Sequence, residues 1–166
     1  GGYNPPFSNT GWGQSSTYVN LRLWSQANFG ENLIFNARGG PLYFWAVNPA
    51  PTVFDRGQTI VAGGSITQKN YASSVPPQIS VPVDATCPSQ VNMVMVSDST
   101  RFVIALGAND PTGVVSTTSI DPLMVRWSDQ ESYSVWTPAV TNQAGSYRLS
   151  QGSQIVAAIQ TRQEIL

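Results

Sequence analysis

Apolar residues recur along the chain in short runs that polar or glycine-containing turns separate, and no long stretch keeps the 3.6-residue period of a helix. Short runs of this kind predict β-strands. The only helix candidate, residues 55–62, overlaps one of them. The pattern therefore predicts an all-β fold of short antiparallel meanders. Its strands are predicted at residues 18–25, 32–37, 41–47, 59–62, 78–83, 91–96, 101–107, 122–128, 133–137, 147–150 and 154–160, with another beginning at 162–166.

Prolines and glycines divide the sequence into parts of different character. Pro5-Pro6 and Gly11-Trp12-Gly13 prevent regular structure near the start, where aromatic residues could dock on a neighbour or pack on their own domain. Turns at residues 28–31 and at Gly39-Gly40 separate the first predicted strands. The predicted parts are an irregular N-terminal arm (1–17), a first β-meander (18–47), a Pro/Gly-rich connecting or inserted region (48–90), and a second β-blade with the start of the next (91–166).

Two stretches about a hundred residues apart, 21–34 and 123–136, share one order: an apolar strand, Trp-Ser, a polar turn and a second apolar strand. Many short strands at this spacing are typical of sandwiches, barrels and propellers. The predicted strands between residues 91 and 137 run in the up-and-down order of one propeller blade. We therefore expect β-propeller-like blades, part of a larger propeller, with Trp24 and Trp127 packing between blades.

Charge is scarce in this chain. Charged residues make up 10% of it, against roughly 25% in an average soluble protein, which favours association with neighbours. A net charge of −1, with a single lysine (Lys69) and scattered arginines, argues against a phosphate-binding surface. The single cysteine, Cys87, excludes an internal disulfide and is expected to be a small buried residue. No stretch reaches the ~20 apolar residues of a membrane-spanning helix.

The sequence contains no histidine, so the commonest general base and metal ligand is missing. Paired carboxylates are the remaining acid–base candidates. Asp129 and Glu131 share a turn, where the ordinary role of such residues is solvation or capping of backbone N–H groups. We predict no catalytic, cofactor-binding or metal-binding residue. The carboxylates considered are Glu31, Asp98, Asp121, Asp129 and Glu131.

Aromatic residues offer a different kind of chemistry, because a row of exposed rings can bind sugars. Trp24, Phe44, Trp45 and Trp127 fall within apolar strands. That position favours a place in the core or in an interface between proteins.

Several motifs resemble those of large virion structural proteins of tailed bacteriophages. The similarity covers roughly residues 12–47 and 91–166. One departure is the turn at residues 28–32, where the family often has acidic residues. The motifs include Leu21-Arg22-Leu23-Trp24-Ser25, Arg38-Gly39-Gly40-Pro41-Leu42-Tyr43-Phe44-Trp45, Asp121-Pro122-Leu123, Arg126-Trp127-Ser128-Asp129-Gln130-Glu131, Trp136-Thr137-Pro138, and the segments 141–146, 149–153 and 159–166.

The resemblance implies a tail component of the nozzle or hub type, in which β-propeller-like domains ring the DNA exit channel. The expected protein is a homo-oligomeric structural component of the virion that serves assembly and DNA ejection. Its expected partners are copies of itself, other tail or portal and adaptor proteins, and DNA that passes without specific binding. We expect it to need no cofactor and to have no enzymatic activity.

Two other functions stay open at this point. One is a receptor- or glycan-binding module of a phage appendage, and the other is a glycosidase that uses only carboxylates. The glycosidase needs two carboxyl groups roughly 5–9.5 Å apart across a cleft. The start at Gly1-Gly2 and the end on a predicted strand also suggest a piece of a longer polypeptide.

Overall fold

A computed structural model describes residues 22–47, 56–69, 78–110 and 119–161. The predicted arm at 1–17, the first part of the strand at 18–25 and the strand at 162–166 lie outside these residues. The described residues form ten strands and no helix, which confirms the all-β prediction. The strands are β1 (Trp24–Phe29), β2 (Asn32–Ala37), β3 (Leu42–Trp45), β4 (Gln58–Thr59), β5 (Ser65–Lys69), β6 (Gln78–Pro82), β7 (Val91–Val96), β8 (Val103–Ala108), β9 (Met124–Trp127) and β10 (Gly145–Arg148).

The first sheet is a four-stranded antiparallel meander in the order β1-β2-β3-β4. Its first turn is tighter than predicted. Phe29 pairs with Asn32, so only Gly30 and Glu31 turn the chain, and Gly30 adopts φ of +64°. The expected turn over 28–31 is therefore too long. β1 continues through Asn28, which pairs with Leu33 of β2 and leaves its side chain exposed.

The helix candidate at 55–62 is wrong within its described part. Gln58 and Thr59 form β4 and pair with Phe44 and Tyr43 of β3. Ile60 ends the ladder with an N–H donated to the Leu42 carbonyl at 2.8 Å and is 1% exposed. Since the backbone finds its hydrogen bonds in the sheet, a short helical turn would leave these groups without their partners.

The second sheet is also a four-stranded antiparallel meander, in the order β10-β9-β8-β7. Residues 133–137, predicted as its fourth strand, form no strand. The fourth strand is β10, close to the short strand predicted at 147–150. Tyr133 and Trp136 instead turn into the core, where the Tyr133 ring stacks on Phe44 at 4.3 Å. Burial of two large aromatic rings outweighs the regular pairing that this segment could have made.

The predicted strand or buried run at 154–160 is also wrong, because the segment is without a strand and largely exposed. This segment and the residues just before it are attached to the second sheet by single backbone hydrogen bonds. Leu149 N–H donates to the Leu123 carbonyl at 3.0 Å, and Ile155 N–H donates to the Pro122 carbonyl at 3.0 Å. A third sheet contains only β5 and β6.

The core lies where the first two sheets meet. β7, the edge strand of the second sheet, packs on β1 and β2 of the first. Gly40 and Val91 form a bridge there, with Val91 N–H donating to the Gly40 carbonyl at 2.9 Å. The edge of β7 is thus covered by the first sheet, which removes a surface prone to unwanted strand pairing. The main buried side chains are Ile34, Leu42, Phe44, Ile60, Ile66, Val91, Val94, Val103, Cys87 and Trp136.

The two meanders each have the up-and-down order of a propeller blade. The described residues close neither a propeller nor a barrel, so they establish antiparallel meanders and no more. Among the same residues, none belongs to a helix long and apolar enough to span a bilayer.

Candidate functional site

The repeated Trp-Ser pairs act through their serines. Ser25 Oγ accepts the N–H of Val94 at 2.9 Å and donates to Asn36 Oδ1. Ser128 Oγ accepts the N–H of Val103 at 2.9 Å and donates to the Asp129 carbonyl at 3.1 Å. Each serine therefore ties its segment to a strand of the second sheet.

The tryptophans before these serines differ in their surroundings. Trp24 is 56% exposed, so its expected burial between blades is not observed in these residues. Trp127 is half-buried, and its Nε1–H donates to the Gln143 carbonyl at 2.8 Å. The Trp127 ring also lies over Gly145, where an added Cβ would approach it to 2.4 Å. Trp127 thus fixes the loop before β10.

A partly exposed aromatic surface lies on the outer side of the first sheet. We call it the aromatic face. Phe35 and Tyr43 are stacked at 5.1 Å with planes 13° apart, and Trp24 lies 6.1 Å from Phe35. Trp45, which is 40% exposed, lines a shallow depression of about 400 Å³ beside Phe35. The aromatic face consists of Trp24, Leu33, Phe35, Tyr43 and Trp45.

The alternation of a strand explains how the sequence builds this face. In β3, Leu42 and Phe44 point inward and are fully buried, while Tyr43 and Trp45 point to the other side. An antiparallel sheet with one wet side normally places polar residues there. This strand is apolar on both sides, which is typical of a strand covered on both faces. Phe44 lies in the core, as the sequence predicts. Trp45 is exposed, so the expectation that it lies in the core or in an interface stays a prediction.

The carboxylates considered from sequence lie in several separate turns of the chain. Asp121 accepts the Leu123 N–H at 3.0 Å and pairs with Arg148 Nε at 2.6 Å. Burial raises the pKa of Asp121, but the Leu123 N–H and the Arg148 guanidinium outweigh it and hold that pKa below its ordinary value. Glu31 and Asp98 lie in exposed turns.

Asp129 and Glu131 do share a surface, an open polar depression of about 630 Å³. Asp129 Oδ1 accepts the Gln143 N–H at 2.8 Å, which makes it a clamp between its turn and the loop before β10. Glu131 is exposed and has φ of +54°. Asn142, which also lines the depression, uses its amide on the backbone of Thr137, Ala139 and Ala144. The polar groups of this depression mainly hold its own loops.

A polar network that the sequence did not indicate fastens residues 133–137 to the core. Asp84 Oδ2 accepts the N–H groups of Trp136 and Thr137, both at 2.9 Å. Burial raises the pKa of Asp84, but these hydrogen bonds outweigh it, and the pKa is lower than the ordinary value. Nothing in the local sequence marks Asp84, because its partners lie about fifty positions away.

Arg126, beside this network, is 1% exposed. Its guanidinium donates to the carbonyls of Thr86 and Trp136, and its Nε–H has no hydrogen-bond partner. Burial lowers the pKa of Arg126 and raises the pKa of the neighbouring Cys87 thiol to about 12. Cys87 is fully buried, as expected from sequence, and such a thiol is unreactive.

No group of three or more His, Cys, Asp or Glu side chains within the described ranges could hold a metal ion. Comparisons with protein-family models, with curated proteins and with solved structures find no match for the chain. The aromatic face is therefore the main candidate functional site, and its chemistry favours contact with an uncharged partner.

Proposed function

We propose that this chain is a structural component of the tail of a tailed bacteriophage, of the nozzle or hub type. Copies of it form a ring around the DNA channel and serve virion assembly and DNA ejection. The observation that carries the proposal is the aromatic face, since a cluster of exposed aromatic and apolar side chains on one side of a sheet marks a surface for contact with a neighbour. The blade-like order of both meanders and the resemblance to virion proteins support it.

The mechanism is mechanical rather than catalytic. Identical subunits that contact one another through two different surfaces close into a ring under cyclic symmetry. DNA carries a dense negative charge, so a lumen with few cations lets it slide, whereas a basic lumen retains it. A net charge of −1 with eight cations in the chain fits a lumen of the first kind.

Electron microscopy of the purified full chain, alone and with isolated tails, tests this function. We expect closed rings with a central channel, located in the tail. Monomers under both conditions would contradict the ring. A lumen lined by clustered arginines would contradict the idea that DNA slides through it without being retained. Particles that lack this protein should assemble heads but fail to deliver DNA.

The exposure of Trp24 and Trp45 also favours a second candidate, a glycan-binding module of a phage appendage. Sugar rings stack on aromatic side chains, and the amide of Gln26 beside the depression could supply a hydrogen bond. A glycan array separates the two candidates. Binding that Trp45→Ala abolishes would favour the module, and its absence would favour the ring.

A further inference from the structure

We infer that the aromatic face is one half of the contact between neighbouring copies of this chain, and that residues 149–160 of the next copy are the other half. The inference rests on the proposed function, since it names the surfaces by which the ring closes. We call residues 149–160 the uncharged segment. It has no Asp, Glu, Lys or Arg, although it lies on the surface.

The two surfaces share one chemistry. The aromatic face contains no charged side chain, and its two tryptophans are 56% and 40% exposed. The uncharged segment presents Val156 and Ile159, which are 69% and 66% exposed. Apolar side chains gain free energy when they leave water together, and neither surface would bury a charge in doing so.

The fold places these surfaces on different sheets. The aromatic face belongs to the first meander, and the uncharged segment lies on the second. Its far end is fixed by Gln160, whose amide donates to the Val96 carbonyl at 3.0 Å and accepts the Asp98 N–H at 2.9 Å in the orientation that satisfies both. Contacts that close a ring need two different surfaces on each copy, and the chain provides two that match in chemistry.

The segment is also prepared for docking. It is held at its start and in the middle by the backbone N–H groups of Leu149 and Ile155, and at its far end by the side-chain amide of Gln160. A segment fixed in this way loses little conformational freedom on binding, which lowers the cost of association. The sequence predicts a strand or a buried run over 154–160, and Val156 and Ile159 of that range face outward instead of joining the core.

Charge substitutions in the full chain test the contact. Trp45→Lys and Val156→Lys each place a cation in one surface, and Val140→Lys is the matched control because Val140 is fully exposed and belongs to neither. We expect sedimentation velocity to show association weakened about 100-fold or more by each of the first two, and by less than about twofold by the control. Thermal unfolding should confirm that all three variants fold.

Mixing the two defective variants gives the sharper result. Each keeps one intact surface, so a mixture of Trp45→Lys and Val156→Lys should form a one-to-one heterodimer that cannot grow into a ring. Native mass spectrometry identifies the heterodimer, because the two variants differ in mass. Failure to form this heterodimer, or normal assembly of either variant, overturns the inference.

Normal assembly of Trp45→Lys would mean that a glycan, residues 1–21 or another protein occupies the face. If both variants still form rings, the inference about the contact is wrong but the proposed function is unaffected. If the wild-type chain stays monomeric on isolated tails, the proposed function itself is refuted.

Discussion

Ser25→Ala is the substitution that best tests how the sheets are joined. The hydroxyl accepts the Val94 N–H at 2.9 Å and donates to Asn36 Oδ1, so it links β1, β2 and β7. Val94 is 2% exposed and Asn36 is fully buried. Neither group can turn to water when the hydroxyl is removed. The Asn36 amide is itself anchored, because its Nδ2–H donates to the Val91 carbonyl at 2.7 Å.

The expected cost follows from these two orphaned groups. A buried donor or acceptor that loses its partner costs roughly 1–3 kcal/mol. Because Ser25 itself is only half-buried, we take the lower part of this range, about 1–2 kcal/mol for each of the two groups, so the alanine variant should be less stable by about 2–4 kcal/mol. A loss of 1 kcal/mol lowers the melting temperature by about 2–4 °C in a chain of this size, so a fall of about 5–15 °C is expected. Ser25→Thr keeps the hydroxyl on a strand and should lose much less.

Urea unfolding followed by tryptophan fluorescence measures the effect. Ser99→Ala is the control, since Ser99 lies exposed in the turn between β7 and β8. The control should change stability by less than about 0.5 kcal/mol. If Ser25→Ala loses no more than this control, the hydroxyl does not join the sheets, and burial alone holds β7 against β1 and β2.

Three further predictions concern the network around residues 133–137. Asp84→Asn should lower the unfolding free energy by about 1–2 kcal/mol near neutral pH. The native pKa of Asp84 is below its ordinary value of about 3.9, so its stabilisation is full above that value and is lost as pH falls through the native pKa. Urea titrations at pH 7 and pH 3 should show the difference in unfolding free energy between wild type and variant narrowing, because pH 3 lies below the unfolded-state pKa of about 3.9. A difference that is as large at pH 3 as at pH 7 would contradict this. Arg126→Met should cost about 2 kcal/mol less than Arg126→Ala, because methionine fills the buried volume without a charge. Equal losses in thermal unfolding would show that the hydrogen bonds to the Thr86 and Trp136 carbonyls dominate. Cys87, with its pKa raised to about 12, should resist a thiol reagent at pH 8 and react fully in urea, whereas native labelling would refute its burial.

The sequence pattern predicts the fold class and several strands, because alternation and turn residues are local signals. β2 and β7 begin and end at the predicted residues. The segment 133–137 shows where local signals fail. Its composition is typical of a strand, but Asp84 supplies its hydrogen bonds and Tyr133 and Trp136 fill the core. These partners are distant in sequence, so no pattern within the segment reveals them.

The candidate site was partly predictable for the same reason. The apolar run of β3 marks a strand that is buried on one side and apolar on the other. Which of its aromatic residues lies in the core depends on the direction in which the first sheet faces. That direction is set by β7, through Ser25 and Gly40. Sequence therefore indicates aromatic rings available for contact, and tertiary structure selects Trp45 over Phe44.

The side-chain hydrogen bonds that connect the sheets give a second explanation for the low content of charged residues. The scarcity of charge first suggests a protein made for association. The structure shows a second use for the uncharged polar residues that replace it. The amide of Gln58 donates to the Thr67 carbonyl at 2.7 Å and accepts the Thr67 N–H at 3.0 Å, as a neighbouring strand would. Asn36 and Ser25 bond in the same manner to the edge of β7.

Hydroxyl and amide side chains suit the edge of a strand because they can both donate and accept hydrogen bonds. A charged side chain at neutral pH can only donate them or only accept them. They satisfy edge strands inside the molecule without the desolvation cost of a buried charge. Low charge is then partly a requirement of the fold, and only surfaces that are both uncharged and apolar indicate a partner. By that criterion the aromatic face and the uncharged segment point to contact with a neighbour, and the serines and amides along β7 do not.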